Sequence, residues 1–142
     1  METEQEKPTT FFRFEDLRIY HKALEYTESV YSMTRNIKED TFTRFFFERF
    51  ITSASSIASN IAEGSSRNKS QFVYYLKMAK SSVRECVVLS TIAQTRNYIT
   101  PEAFDHSKNH LMEMTKMIGA LIGSLQRSVR PGEGETEEDD ET

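Results

Sequence analysis

Apolar residues in this chain recur every three to four positions through four long segments, and few residues interrupt them. The 142 residues include only three prolines and five glycines. Spacing of three and four places apolar side chains on one face of a helix, whereas a half-buried strand requires strict alternation. We therefore predict an all-α fold.

The predicted helices cover about residues 16–36, 41–63, 70–95 and 101–129. At 1.5 Å per residue each helix is roughly 30 to 45 Å long. Short links between long helices favour antiparallel neighbours. The predicted fold class is therefore an antiparallel, up-down-up-down four-helix bundle with disordered acidic tails.

Helix starts are marked by residues whose side chains can accept a hydrogen bond from the first-turn N–H groups. The candidate N-caps are Asp16, Asp40, Ser70 and Thr100. Thr100 gives the clearest signal, because Pro101 follows at the first helical position, where a missing N–H costs nothing.

Phenylalanine is concentrated at the start of the second predicted helix. The expected buried stripe consists of Phe42, Phe46, Phe50, Ile57 and Ile61. Phe45 and Phe47 fall outside this stripe, so we expect them to add aromatic surface that suits a partner. In the fourth helix Gly119 and Gly123 lower helix propensity but permit close packing.

Polar residues gather where the second helix is expected to end. We expect Gly64 to adopt the left-handed conformation that terminates a helix. The macrodipole disfavours an acid at this end, so Glu63 should have a specific partner, either the start of the third helix or Arg67. We predict that Asn60, Glu63 and Glu85 are structural polar anchors.

Charge is distributed unevenly along the chain. The net charge is −4, but residues 131–142 contain seven acids and no base, and without them the chain carries +3. We predict that residues 1–13 and 131–142 are flexible tails, because charged segments with few apolar residues cannot offset the entropy cost of ordering. Residues 14–130 then form one bundle domain, and its basic excess is compatible with a nucleic-acid partner.

A row of bases lies on the third predicted helix. Lys77, Lys80 and Arg84 follow an i, i+3, i+7 pattern, and Arg67 and Lys69 lie near the row's N-terminal end. Cations along a rigid rod suit phosphate contact. We predict that these five residues bind nucleic acid, without an aromatic platform for base stacking on the same face. The alternative is an ordinary solvated helix face.

No catalytic residue, cofactor or metal site is predicted, and we do not expect an enzyme. His106 and His110 are four residues apart and suggest a metal-dependent enzyme as a third hypothesis, but two ligands do not make a site. Cys86 lies among apolar residues, so we expect it to be a core residue.

A lone cysteine fits a reducing cytoplasm. No apolar run approaches the roughly 18 to 20 residues that a membrane span requires.

Several segments carry a family resemblance. The chain resembles the small four-helix-bundle proteins encoded by intervening sequences in bacterial 23S ribosomal RNA genes, a family that includes relatives of the accessory protein of diversity-generating retroelements. The matching segments are residues 16–23 (Asp-Leu-Arg-Ile-Tyr-His-Lys-Ala), Tyr31, residues 56–64 (Ser-Ile-Ala-Ser-Asn-Ile-Ala-Glu-Gly), Arg67, Ser70, residues 75–85 and residues 121–125.

The resemblance implies a bacterial homopentamer with a basic surface. It also implies non-catalytic binding of RNA, DNA or a ribonucleoprotein, with a reverse transcriptase as partner in the retroelement branch. Family members often carry a basic pair midway along the second helix, where this chain has Ile51 and Thr52. The alternative function is a protein–protein assembly or adaptor bundle that contacts no nucleic acid and uses its phenylalanine-rich surface.

Overall fold

The computed structural model describes residues 11–35 and 37–128. In these residues a short 3₁₀ helix, Arg13–Asp16, precedes four α-helices and there is no strand. The helices are α1 (Arg18–Met33), α2 (Thr41–Ser65), α3 (Lys69–Thr95) and α4 (Pro101–Arg127). The all-α prediction is confirmed. The predicted acidic C-terminal tail, and the N-terminal tail up to residue 10, lie outside the described residues.

The four helices form a closed ring of neighbours. Each helix packs against the next one, and α4 packs against α1, while helices at opposite corners make no close backbone contact. The links between helices are short, so sequential neighbours run antiparallel. This arrangement confirms the predicted up-down-up-down bundle.

A single core runs along the bundle axis. Each helix supplies large side chains that are fully buried, among them Tyr26, Phe50, Ile57, Ile61, Leu76, Leu111, Met114 and Ile118. The core also contains one polar cluster: the Tyr26 hydroxyl lies 2.8 Å from that of Ser107, which lies 2.6 Å from that of Ser90. Burial raises the pKa of Tyr26. Because buried hydroxyls need partners, this cluster aligns α1, α3 and α4.

Two of the predicted N-caps are confirmed. Asp40 Oδ1 accepts a hydrogen bond from the Thr43 N–H at 2.9 Å, and α2 begins at the next residue. Thr100 Oγ1 accepts from the Ala103 N–H at 3.0 Å, with Pro101 at the first position of α4. Both side chains satisfy a first-turn donor that has no partner within the helix.

The other two predicted N-caps are wrong. Asp16 belongs to the 3₁₀ helix, so α1 starts after Leu17, which has no capping side chain. For α3 the cap is Asn68, whose side chain accepts from the Gln71 N–H, and Ser70 lies inside the helix. Asparagine caps as well as serine, and capping at Asn68 lengthens the helix by two residues.

The predicted buried stripe of α2 is wrong at its N-terminal end. Phe47 is only 3% exposed and Phe50 is fully buried, whereas Phe42 is 80% and Phe45 63% exposed. Phe46 is half-buried against the rings of Phe47 and Tyr98. Steps of three and four from Phe47 through Phe50 follow the helical period, whereas repeated steps of four drift off the core face.

Gly64 does not terminate α2 in the left-handed conformation, since the helix continues through it to Ser65. A Cβ at this position would lie 2.6 Å from Tyr75 Cβ and 2.9 Å from Phe72 Cδ1. Glycine is therefore required for the close approach of α3. Among the described non-glycine residues the left-handed one is Asn97, with φ of 62°, two positions beyond the last residue of α3. A short polar side chain tolerates this conformation.

The two glycines of α4 do not mediate close packing. A Cβ on Gly119 would meet no atom within 4 Å, and one on Gly123 would meet only the Arg127 guanidinium, at 3.3 Å. The expectation of close packing is therefore wrong for both residues, because neither faces a neighbouring helix at short range.

Candidate nucleic-acid interface

The basic row on α3 is positioned by the core residues beside it. Val73, Leu76, Ala79 and Val83 face the bundle interior. Lys77 and Arg84 therefore fall on the solvent side, and Lys80 is half-buried between the two faces. From Lys69, the first residue of α3, to Arg84 the row spans about 22 Å at 1.5 Å per residue.

The excess positive charge of the described residues is confined to one stretch. Residues 50–84 contain five bases and one acid, a net charge of +4. The remaining described residues contain eleven bases and eleven acids, so they are neutral as a set. The bases lie in the link between α2 and α3, at Arg67, and on the first part of α3, whereas the one acid, Glu63, lies near the end of α2.

Three lysines of this stretch have no ion-pair partner in the part of the chain that the structure describes. No acid among residues 11–35 and 37–128 forms an ion pair with Lys69, Lys77 or Lys80. Unpaired surface cations attract anions over about a Debye length, roughly 8 Å at physiological ionic strength. These three residues are therefore the strongest candidates for phosphate contact.

Arg67 makes two contacts at the end of α2. Its Nε and Nη2 both donate to Glu63 Oε2, with the Nε bond at 3.2 Å. Its guanidinium also lies 5.2 Å from the centroid of the Tyr75 ring. The hydrogen bonds to Glu63, followed by the influence of Tyr75, raise the pKa of Arg67. Arg67 is thus one of the two partners expected for Glu63, and the stabilising role of this exposed pair stays a prediction.

A tyrosine pair lies beside the basic row, contrary to the expectation that this surface has no aromatic platform. Tyr74 is 60% exposed, and its ring meets that of Tyr75 edge-on, with centroids 5.3 Å apart. Tyr74 precedes Lys77 by one turn, so the two side chains are neighbours on the helix surface. The signal in the sequence is the Tyr-Tyr dipeptide at positions 74 and 75, which closely precedes Lys77.

Two other predicted structural residues, Asn60 and Glu85, each take part in a side-chain hydrogen bond. Asn60 Nδ2 donates to the Ser56 carbonyl at 2.9 Å, within α2. Glu85 Oε2 accepts from Arg49 Nη2 at 3.0 Å, which joins α3 to α2. Arg49 therefore has an acidic partner, and the nearby Ile51 and Thr52 supply no cation to the surface.

The histidines and the cysteine form no cluster of ligands. The rings of His106 and His110 have centroids 5.9 Å apart, and His110 Nε2 donates to the Lys22 carbonyl at 3.2 Å. Partial burial lowers the pKa of His110. In the described part of the chain no group of three or more potential ligands is close enough to hold a metal ion. Burial raises the pKa of the Cys86 thiol to about 12.

A cavity opens at the same end of the bundle as the basic stretch. Its volume is about 570 Å³, and it lies between the N-terminal segment and the end of α2. Its lining residues are Phe11, Phe12, Arg13, Phe14, Ala62, Glu63, Ser65, Ser66 and Arg67. Aromatic rings, cations and a carboxylate therefore face one concave surface. Sequence reasoning missed it because it depends on how residues 11–14 fold back on α2.

An apolar patch occupies the other end of the α2–α3 face. Phe45 precedes Arg49 by one turn, and Val88 follows Glu85 by about one turn, so both side chains flank the Arg49–Glu85 ion pair. Phe42 and Ile92 extend the exposed apolar surface in the same direction. We call these four residues, Phe42, Phe45, Val88 and Ile92, the apolar patch. Large exposed apolar surfaces mark interaction sites.

No helix within residues 11–35 and 37–128 combines the length and the hydropathy that crossing a bilayer demands.

Comparisons with known proteins identify the family. Residues 15–120 match the family described as 23S rRNA-intervening sequence protein. A crystal structure from Bacteroides thetaiotaomicron, of a protein with unknown function from the S23 ribosomal protein family, is similar with a TM-score of 0.65. The two chains are 21% identical, and the match covers 73% of this chain and 97% of that one. This likeness supports the four-helix fold, and no curated protein matches the chain. Because the family match spans most of the sequence, the chain belongs to the 23S rRNA-intervening sequence protein family.

Proposed function

We propose that this protein is a non-catalytic, homo-oligomeric bundle that binds nucleic acid or a nucleoprotein through the bases of the α2–α3 link and of α3. The observation that carries the proposal is the confinement of the excess charge to residues 50–84, at +4, in an otherwise neutral set of described residues. A polyanion is the partner that such a one-sided distribution favours. We propose no cofactor, and we place the protein in the bacterial cytoplasm.

The lysines support phosphate contact because they are held on a rigid scaffold. Lys69, Lys77 and Lys80 lie on a helix whose opposite face is buried, so the spacing between their backbone positions is fixed. Phosphate contact releases counterions from the nucleic acid, which makes binding steeply dependent on salt. Arg67 and Arg84 extend the same surface beyond the three lysines.

Self-association is supported by the apolar patch. Phe42 at 80% and Phe45 at 63% exposure are unusually open for phenylalanines on a helix with a full core. A second copy that covers them would remove apolar area from water, which would stabilise the assembly by about 25 cal/mol for each Å² buried. The homopentamer implied by the family resemblance is the assembly that we propose.

Charge reversal tests the nucleic-acid proposal. The variant is Lys77→Glu/Lys80→Glu, and its matched control is Lys38→Glu/Lys108→Glu, which makes the same change in net charge outside the basic stretch. Binding to a fluorescent oligonucleotide is followed by anisotropy at low salt. We expect the variant to lose at least tenfold in affinity and the control to change little, because only the first pair contacts phosphate. Equal losses in both variants would contradict a localised interface.

The second candidate is an assembly or adaptor protein that contacts only other proteins, such as a reverse transcriptase, through the apolar patch. The exposure of Phe42 and Phe45 favours it. The prediction that Phe47 adds to this surface is wrong, because its side chain is buried in the core. Both candidates predict a smaller mass for Phe42→Ser/Phe45→Ser by light scattering, so oligonucleotide binding by the wild type is the measurement that discriminates between them. A smaller mass, together with no oligonucleotide binding by the wild type, would favour the adaptor.

A further inference from the structure

A continuous run of aromatic and cationic side chains connects the cavity to the basic row. Arg67 lines the cavity and stacks on Tyr75, whose ring contacts that of Tyr74. Tyr74 in turn neighbours Lys77, one turn further along α3. The run therefore extends from the phenylalanines of residues 11–14 to the first lysines of the row.

Tyr74 makes no contribution to the bundle core. Val73 and Leu76, which lie on either side of it in the sequence, are buried, whereas Tyr74 is 60% exposed. A large exposed ring beside lysines that pair with none of the described acids is the combination found in sites for single-stranded nucleic acid. In such sites cations follow the phosphates, and aromatic rings stack on the bases.

Base stacking separates single strands from duplexes. In a duplex each base face is covered by the neighbouring pair, so an exposed ring finds no surface to stack on. In a single strand every unpaired base offers a face, and stacking works with any sequence. The cavity beside Arg67 extends the same surface with more aromatic rings, among them Phe12.

We propose that this surface binds single-stranded nucleic acid in preference to duplex, with an unpaired base stacked on Tyr74 and a second base in the cavity. Phosphates on either side of the stacked base contact Lys77 and Lys69. This inference rests on the proposed function, because it specifies the ligand of the same basic surface.

Anisotropy with a short labelled single strand, and with the duplex of the same sequence, tests the inference. The variants are Tyr74→Ala, Tyr74→Phe and Phe12→Ala, and the matched control is Tyr31→Ala, a 50% exposed tyrosine on α1. We expect the wild type to bind the single strand more tightly than the duplex. Loss of one stack should weaken single-strand binding about 5- to 150-fold in Tyr74→Ala and in Phe12→Ala. Tyr74→Phe and Tyr31→Ala should bind as the wild type does.

The outcomes separate this inference from the proposed function. Suppose that Lys77→Glu/Lys80→Glu abolishes binding but Tyr74→Ala is neutral, or that duplex binds as tightly as single strand. The inference is then overturned and the proposed function stands. If the lysine variant binds both nucleic acids normally, both fail. A smaller mass of Tyr74→Ala by light scattering would place Tyr74 between copies of the chain and would also overturn the inference.

Discussion

The glycines show that the absence of a side chain at one position can decide how closely two helices approach. Gly64 touches Tyr75 and Phe72 so closely that a Cβ would overlap them, whereas Gly119 borders open space. Both residues lie in helices, so their backbone costs are similar. Only the first is demanded by packing.

Alanine at these two glycines should change stability in opposite directions. Gly64→Ala should destabilise the fold by about 1 to 3 kcal/mol, because α3 must shift to admit the methyl group. Gly119→Ala should stabilise it by about 0.5 to 1 kcal/mol, because alanine loses less backbone entropy in a helix. Urea denaturation of both variants measures the difference. Stabilisation by both substitutions would contradict the close approach at Gly64.

Asp40 should make stability depend on pH. The hydrogen bond from the Thr43 N–H holds the pKa of Asp40 below its ordinary value of 3.8 in the folded state. The stabilisation that the Asp40 carboxylate gives the folded state is therefore fully present above pH 3.8, and it is lost as the pH falls through the folded-state pKa. Asp40→Ala should be less stable than the wild type at neutral pH, and the two should converge in acid.

The control for the Asp40 experiment is Asp40→Asn, which keeps a capping side chain but cannot titrate. Urea midpoints across the acid range should show a smaller pH dependence for this variant than for the wild type. If Asp40→Ala is less stable than the wild type by the same amount down to the most acidic pH, the ionised carboxylate is not the source of the stability difference.

At the scale of the helix, α2 divides its phenylalanines between the core and the surface. Phe47 and Phe50 follow the core period, and Phe42 and Phe45 point away from it. Phe47 and Phe50 therefore stabilise the core, whereas Phe42 and Phe45 are exposed to a partner.

Substitution of these phenylalanines should separate stability from assembly. Phe47→Ala should cost about 3 to 5 kcal/mol through the cavity that it leaves in the core. Phe45→Ala should stay within about 0.5 kcal/mol of the wild type in the dissociated chain, because an exposed ring packs against little. Thermal melting at low protein concentration measures both. Equal losses would mean that Phe45 is also a packing residue.

Local signals explain which elements can be predicted from sequence. The four helices, the caps at Asp40 and Thr100 and the i, i+3, i+7 row of bases all depend on residues near one another in the chain. At the start of α3, Asn68 and Ser70 are both good N-cap residues two positions apart, so the residue type alone does not decide between them. The role of Gly64 depends on Tyr75 from the next helix. Long-range contacts of this kind leave no periodic pattern.

The same limit applies to the candidate site. Lys77, Lys80 and Arg84 can be recognised as one row because a helix fixes their spacing. The run from the cavity through Arg67 and Tyr75 to Tyr74 joins three segments of the chain, so it emerges only when α2, α3 and the N-terminal segment are assembled.

At the scale of the whole molecule, the α2–α3 face has two different ends. One end carries the basic stretch with its tyrosines and cavity, and the other carries the apolar patch. Copies joined through their apolar patches would keep their basic ends exposed. Several weak basic surfaces on one assembly bind a long polyanion more tightly than one surface does.

The salt dependence of binding tests the central claim most directly. For a single strand, log K falls with log salt concentration by about 0.7 per phosphate contact. The Lys77→Gln/Lys80→Gln variant removes two contacts in each chain that engages the strand. Its slope should therefore be shallower than that of the wild type by about 1.4 if one chain engages. Parallel salt titrations of the two proteins, with equal slopes, would contradict a nucleic-acid interface on α3.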